Sequence, residues 1–99
     1  MSLFVIIIDY IVDLKIIDKH RQNHLKFLDK YYNLNIFIVS GARNPRDGGI
    51  IIAKAQDKNY LSSIIKEDPF YQHNLAKFSI HEFYASKYSK EFEKSYIAS

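Results

Sequence analysis

The 99-residue chain has no cysteine and no tryptophan, and only one methionine, two prolines and three glycines. Without cysteine there is no disulfide scaffold, no thiolate nucleophile and no thiolate-ligated zinc or iron–sulfur centre. Packing alone must hold the fold, and a chain this short buries only a modest share of its surface. A subunit interface would add to it. No glycine-rich phosphate-binding motif occurs, so nucleotide hydrolysis is not expected. No apolar run approaches the roughly 20 residues needed to cross a bilayer. Residues 3–8 are apolar, but Asp9 ends them and no basic stretch precedes them as in a secretory signal. A cytoplasmic protein with no membrane association is therefore expected. Charge of one sign is also scarce. Fourteen Lys and Arg oppose eleven Asp and Glu, for a net charge of +3. The longest basic grouping, Lys19-His20-Arg21, sits beside Asp18. A specific nucleic-acid partner is not expected, because the strands offer Ile, Val and Leu where RNA-binding sheets of similar topology present aromatics.

What is abundant is apolar and aromatic surface: 47% apolar residues, with eight Tyr and seven Phe. This suits one globular domain over residues 1–99, with a core at 3–84 and a tail at 85–99. Residues 3–8 are short, β-branched and read as a buried strand. Residues 12–33 read as a helix whose apolar arc holds Ile17, Arg21, His24, Leu25, Leu28, Tyr31 and Tyr32. Residues 36–39 and 50–53 read as two strands of a hairpin, joined by a loop over 42–49. Asp57 is placed to cap a helix carrying Tyr60, Leu61, Ile64 and Ile65, which should stop by Asp68 because Pro69 follows. Residues 76–84 read as a fourth strand. In the tail, Tyr88, Phe92 and Tyr96 recur at four-residue spacing, one line along a helix.

The order strand, helix, strand, strand, helix, strand predicts an α+β, ferredoxin-like βαββαβ fold. Its four-stranded antiparallel sheet would carry both helices on one face. Residues 3–8, 36–39 and 50–53 are apolar on both faces of the pleat. The second face therefore needs cover, and a homodimer packed sheet to sheet would supply it. The competing cover is the chain's own tail.

His24 and Arg21 are polar residues near the middle of the helical stripe. His24 reads either as a satisfied core histidine or as a general base whose tautomer a carboxylate fixes. Asp68 is the candidate carboxylate. It also reads as the N-cap of a short helix through Phe70 and Tyr71, and a capping Asp can still accept from an imidazole. Arg21 either orients an anionic substrate or extends its charged end to the surface. Ser40-Gly41 reads as a strand end needing small residues, or as a close approach of backbone to ligand with Ser40 as donor. His20 and His24 are four residues apart, but no third ligand is evident and Arg21 stands where the zinc HExxH pattern has Glu. No metal is expected. Arg43 and Arg46 read as solvated loop arginines, or as partners of a phosphate or carboxylate.

Arg21-x-x-His24 with Leu28, Ser40-Gly41, Gly48-Gly49 and Asp68-Pro69-Phe70 occur in that order over roughly residues 3–84. This ordered set resembles the YCII-related (YciI-like) family of dimeric α+β barrel proteins. Ala42 departs from it, since many members carry Pro after the Ser-Gly pair. The resemblance implies a ferredoxin-like subunit, a homodimer and a catalytic His–Asp dyad carried here by His24 and Asp68. It also implies chemistry without a cofactor, of the kind run by a dehydrochlorinase or muconolactone isomerase of similar fold. Two functions follow. One is a lyase or isomerase in which His24 takes a proton from a small cyclic, oxygen-rich or anionic substrate bound by Arg21, Ser40 and Gly41. The other is a non-catalytic module that binds a small ligand or assembles with others.

Overall fold

The computed structural model describes residues 2–97. Its elements are β1 (Ser2–Tyr10), α1 (Leu14–Asn33), β2 (Phe37–Ala42), β3 (Gly48–Ala53), α2 (Lys58–Ile65), α3 (Pro69–Gln72), β4 (Ala76–Tyr84) and a short α4 (Lys90–Phe92) that widens into a π turn over Glu93–Ile97. The strands form one antiparallel sheet in the order β2-β3-β1-β4. β3 lies between β1 and β2, and β1 lies between β3 and β4, so the chain has the ferredoxin-like α+β topology.

Alternation sends Phe4, Ile6 and Ile8 of β1 to the same face as Ala53, Ile51 and Gly49 of β3. The helices close over that face. Ile17, Phe27, Leu28 and Tyr31 of α1 meet Leu61, Ile64 and Ile65 of α2 and Phe70 of α3 in one core. Asp57 caps α2, accepting from the Tyr60 amide at 2.8 Å. Helices α1 and α3 end alike, with an asparagine in the left-handed region. Asn35 (φ 59°) and Asn74 (φ 55°) each stand just past the helix end. The amides of Asn35 and Ile36 bond back to Tyr32 and Tyr31, and those of Asn74 and Leu75 to Tyr71 and Phe70. Both are Schellman closures, with asparagine taking the usual place of glycine.

Helix α1 starts at Leu14, two residues later than the periodicity suggests. Asp13 is extended there, and its carbonyl takes the first helical bonds from Ile16 and Ile17. The buried stripe is also rotated from the expected one. Phe27 is buried because Phe37 and Tyr31 offer ring edges to it, while Arg21 and Leu25 are exposed.

Strands β2 and β3 run further than expected, and the connecting loop shrinks to residues 43–47. Ser40 and Gly41 lie within the ladder. A β-bulge separates Phe37, opposite Ala53, from Val39, opposite Ile52. The extra residue shifts the strand's phase by one. Val39 and Gly41 take the outer face, and Ser40, opposite the buried Ile51, turns toward the helices. At the hairpin's base, a Cβ on Gly48 would stand 1.9 Å from the Ile8 carbonyl oxygen. Only glycine lets the two backbones approach this closely.

The outer face of the sheet is largely open and mostly apolar over β1, β2 and β3, while β4 adds Lys77, Ser79 and His81 beside Phe83. Val39, Ile50 and Phe83 are exposed, Val5, Ile7 and Ile52 half-buried, and Leu3 is buried. In the tail the rings of Tyr88, Phe92 and Tyr96 follow one another at 6.3 and 4.9 Å. The tail is tied to the end of β3 by Lys54 Nζ, which donates to the Tyr96 carbonyl at 2.7 Å.

Gly48→Ala should lower stability by more than about 2 kcal/mol, because the obstacle is backbone that cannot move aside. Gly41→Ala should change it by less than about 0.5 kcal/mol, since nothing lies within 4 Å of a Cβ there. Urea unfolding of both variants checks the contrast.

Candidate active site

Asp68 begins the site. Pro69 brings no N–H to the first turn of α3, so the first free helical amide is that of Phe70. Asp68 is extended (φ −72°, ψ 127°), and its Oδ1 accepts from the Phe70 N–H at 2.9 Å. The residue is fully buried. The same oxygen meets His24 Nδ1, also at 2.9 Å. A carboxylate can only accept, so the neutral imidazole carries its proton on Nδ1 and keeps a lone pair on Nε2. The His24 ring lies flat on Phe70, with centroids 4.1 Å apart and planes 8° apart. Hydrogen bond and stacking together leave the imidazole little freedom. Oδ2 of Asp68 is buried and has no hydrogen-bond partner among the described residues. The buried carboxylate thus rests on the Phe70 amide and His24 alone among the described residues.

The preceding residue ties the same segment to α1. Glu67 Oε1 accepts from Lys30 Nζ at 2.7 Å, and Oε2 accepts from the hydroxyl of buried Tyr31. The Lys30 ammonium, then the Tyr31 hydroxyl, hold the Glu67 carboxyl below its ordinary value. Burial, then the Glu67 charge, push the Tyr31 phenol up. Two adjacent carboxylates therefore clamp the α2–α3 junction onto α1 and hold Asp68 in reach of His24.

A cavity of about 260 Å³ opens beside this pair. Ile17, Arg21, His24, Leu25 and Leu28 of α1 and Phe70 of α3 line it from the helices, and Ile8 and Tyr10 line it from β1. Ser40, Gly41 and Ala42 of β2 and residues 49–51 of β3 continue the sheet side. His24, Arg21, Ser40 and Gly41 thus border one space, with Asp68 behind His24. Gly41 contributes backbone, since its register points a side chain to the outer face. Ser40 contributes its hydroxyl, which shares a hydrogen bond with Tyr32.

Two further residues join the cavity, Tyr10, which the sequence reading did not single out, and Arg46, which it left as either a solvated loop arginine or a partner of a phosphate or carboxylate. Tyr10 stands on the helix-facing side with Ile8, an extension of the alternation in β1 that was legible in principle. Its ring meets Phe70 edge to face at 5.9 Å. Arg46 carries no local signal. It lies in the 43–47 loop and reaches across to pair with Asp18 on α1. The other loop arginine is structural. Arg43 bonds Asp9 at 2.6 Å and Asp47 at 2.9 Å, bracing the hairpin against β1. His20 turns toward His73, 4.4 Å between ring centroids. Among the described residues no three His, Asp or Glu side chains converge as a metal ion requires, and no helix is long and apolar enough to cross a membrane.

A ferredoxin-like sheet with a buried carboxylate–imidazole pair facing a small cavity at one end defines a class of small α+β proteins. Within it, the YCII-related domain matches residues 2–84, and the chain belongs to that family. A solved structure of similar fold is 5-chloro-2-hydroxyhydroquinone dehydrochlorinase (TftG) from Burkholderia phenoliruptrix AC1100, in complex with 2,5-dihydroxybenzoquinone. It shares 18% identity over 92% of this chain and 98% of its own, with a TM-score of 0.71. No curated protein matches the sequence.

The Glu67 clamp has a pH signature. A carboxyl held below its ordinary value contributes stability above that value, 4.5 for Glu, and loses it as pH falls through the folded-state value. Glu67→Gln should therefore flatten part of the acid limb of a Tm-against-pH curve below about pH 4.5. At pH 7 its Tm should fall only slightly, because Glu67 and Lys30 are about half exposed.

Proposed function

We propose that the protein is a small cofactor-independent enzyme of the lyase or isomerase type, with His24 as general base. The observation that carries this reading is the 2.9 Å bond from His24 Nδ1 to buried Asp68, which leaves Nε2 as the basic atom at the cavity. His24 takes a proton from a carbon or hydroxyl next to a carbonyl, and an enolate forms. Asp68 stays ionised and stabilises the imidazolium. The Arg21 guanidinium and the Ser40 hydroxyl steady the developing oxyanion. The proton then returns to another atom in an isomerase, or a leaving group departs in a lyase. A cavity of about 260 Å³ accepts a single substituted ring, since roughly 150 Å³ is enough for benzene. The oxygen-rich ring bound by the structural neighbour is of that size class.

His24→Ala should lower turnover 10²- to 10⁴-fold, the usual share of a general base. Asp68→Asn should also lose turnover. It keeps the cap on α3, because Asn caps as well as Asp, and it should unfold later in urea than Asp68→Ala. The assay is product formation from cyclic enols, lactones and catechol-like compounds, with the His24 tautomer followed by ¹⁵N NMR. Full activity of the His24→Ala protein on a genuine substrate would remove this mechanism.

A second reading is supported by the same stack. Phe70 and the capping role of Asp68 hold His24 as they would in a purely structural pair, and the cavity would then bind a small ligand without turning it over. In that case His24→Ala weakens binding or stability, and no substrate yields product.

We also propose that the open sheet face pairs with its copy in a homodimer. Exposed apolar patches of this kind mark interaction surfaces, and two sheets pack readily face to face. Val39, 55% exposed at the centre of β2, tests it. Wild type should sediment at twice 11.7 kDa and Val39→Glu at the monomer mass. A wild-type monomer at micromolar concentration would rule the dimer out.

A further inference from the structure

The mouth of the cavity carries, besides Arg21, an ion pair that proton abstraction does not use. Arg46 extends from the 43–47 loop, lines the cavity and pairs with Asp18 on α1. Arg21 lines the same cavity one turn before His24. The rim therefore holds two guanidiniums and one carboxylate, a net positive edge around a largely apolar interior of Ile17, Leu28, Ile51 and Phe70. The loop that bears Arg46 does not need the Asp18 pair to hold its shape. Arg43 already ties it to Asp9 and Asp47, and the Tyr10 amide bonds the Asp47 carbonyl at 3.0 Å.

The pair itself is built to exchange. Asp18 is 52% and Arg46 34% exposed at the side chain. An ion pair so hydrated contributes little to stability, and a carboxylate held inside the cavity would compete well for the same fork of donors. Asp18 stands six residues before His24 on α1, about 9 Å along the helix axis, so the pair is separate from the His24–Asp68 bond.

We propose that Arg46 reads the carboxylate of a small cyclic acid in this cavity, and that Asp18 occupies the Arg46 fork until that acid displaces it. This rests on the cavity being the ligand site, as in the reading above, but not on His24 acting as a base. Arg21, three residues from both Asp18 and His24 on α1, is left to the oxyanion, and Arg46 sets the charge of what binds.

The test is titration of wild type, Arg46→Gln, Arg21→Gln and Asp18→Asn with benzoate and with its neutral isostere benzamide. Binding is read from amide NMR shifts of Gly41 and Gly49 on the cavity wall. Wild type should prefer benzoate. Arg46→Gln should weaken benzoate roughly tenfold, the worth of a charge-assisted pair, and leave benzamide unchanged. Asp18→Asn should tighten benzoate about threefold, because a weak internal competitor is gone. Four results would overturn the proposal: no benzoate binding by wild type, Arg46→Gln within twofold of wild type, equal loss of benzamide, or the whole charge preference vanishing with Arg21→Gln instead. Weaker benzoate binding by Asp18→Asn would remove the displacement half. No turnover enters these titrations, so their failure leaves the His24 mechanism standing, and an inactive His24 leaves them intact.

Discussion

The structure turns on one buried carboxylate. Asp68 has no access to water, yet it ends one connection, caps α3 and accepts from His24 with a single oxygen. A buried anion is costly unless it is hydrogen-bonded, so α3 and α1 are obliged to meet where they do. Phe70, whose amide satisfies the carboxylate, also presents its ring to the imidazole. Capping, helix docking and the orientation of His24 are therefore one arrangement. Glu67 reinforces it from the outside, with Lys30 and Tyr31 drawing the same junction onto α1. The pair that would do chemistry is held by the interactions that hold the fold.

The cavity exists because the sheet is irregular at its edge. Gly49, whose Cβ would stand 3.1 Å from the Gly41 carbonyl oxygen, brings β2 and β3 close, and Gly48 lets β3 lie close against the backbone of β1. The bulge in β2 turns Ser40 inward to meet Tyr32. An unbroken strand would have aimed Val39 at the cavity and Ser40 away from it. Edge strands tolerate such an insertion because only one side of the ladder is disturbed. The cavity accordingly lies between a rigid helix and the most adaptable strand of the sheet.

Electrostatics divide this region by depth. Deep in the fold, one anion faces one imidazole in a setting that magnifies their interaction. At the mouth, Arg21, Arg46 and Asp18 are hydrated, and their mutual attractions are weak enough to rearrange. Arg46 shares a five-residue loop with Arg43, yet the two arginines have separate duties. Arg43, tied to two aspartates, belongs to the scaffold. Arg46, tied to one across an open gap, lines the cavity.

The element order and ferredoxin-like topology follow from local features: β-branched runs, one long amphipathic helix, and Asp-Pro as a boundary. These depend on neighbours a few residues away, so they survive reading one residue at a time. Asp57 and Asp68 as caps follow for the same reason. His24 stood out because a titratable residue in an apolar helical stripe must be accounted for, whatever it meets. What tertiary structure alone decided is who meets whom. His24 and Asp68 are 44 positions apart, so no local pattern joins them and the sequence offers their pairing only as a candidate and through the family resemblance; the rotation of α1 that buries Phe27 while exposing Arg21 was set by Phe37 on another element. The phase of β2 depended on a bulge that alternation cannot announce. Arg46 entered the site because its loop crosses the gap to Asp18, a contact between two polar residues that each read as solvated. Propensity and periodicity are short-ranged and persist in the sequence, whereas a site is made by long-range packing, which appears only when the chain closes on itself.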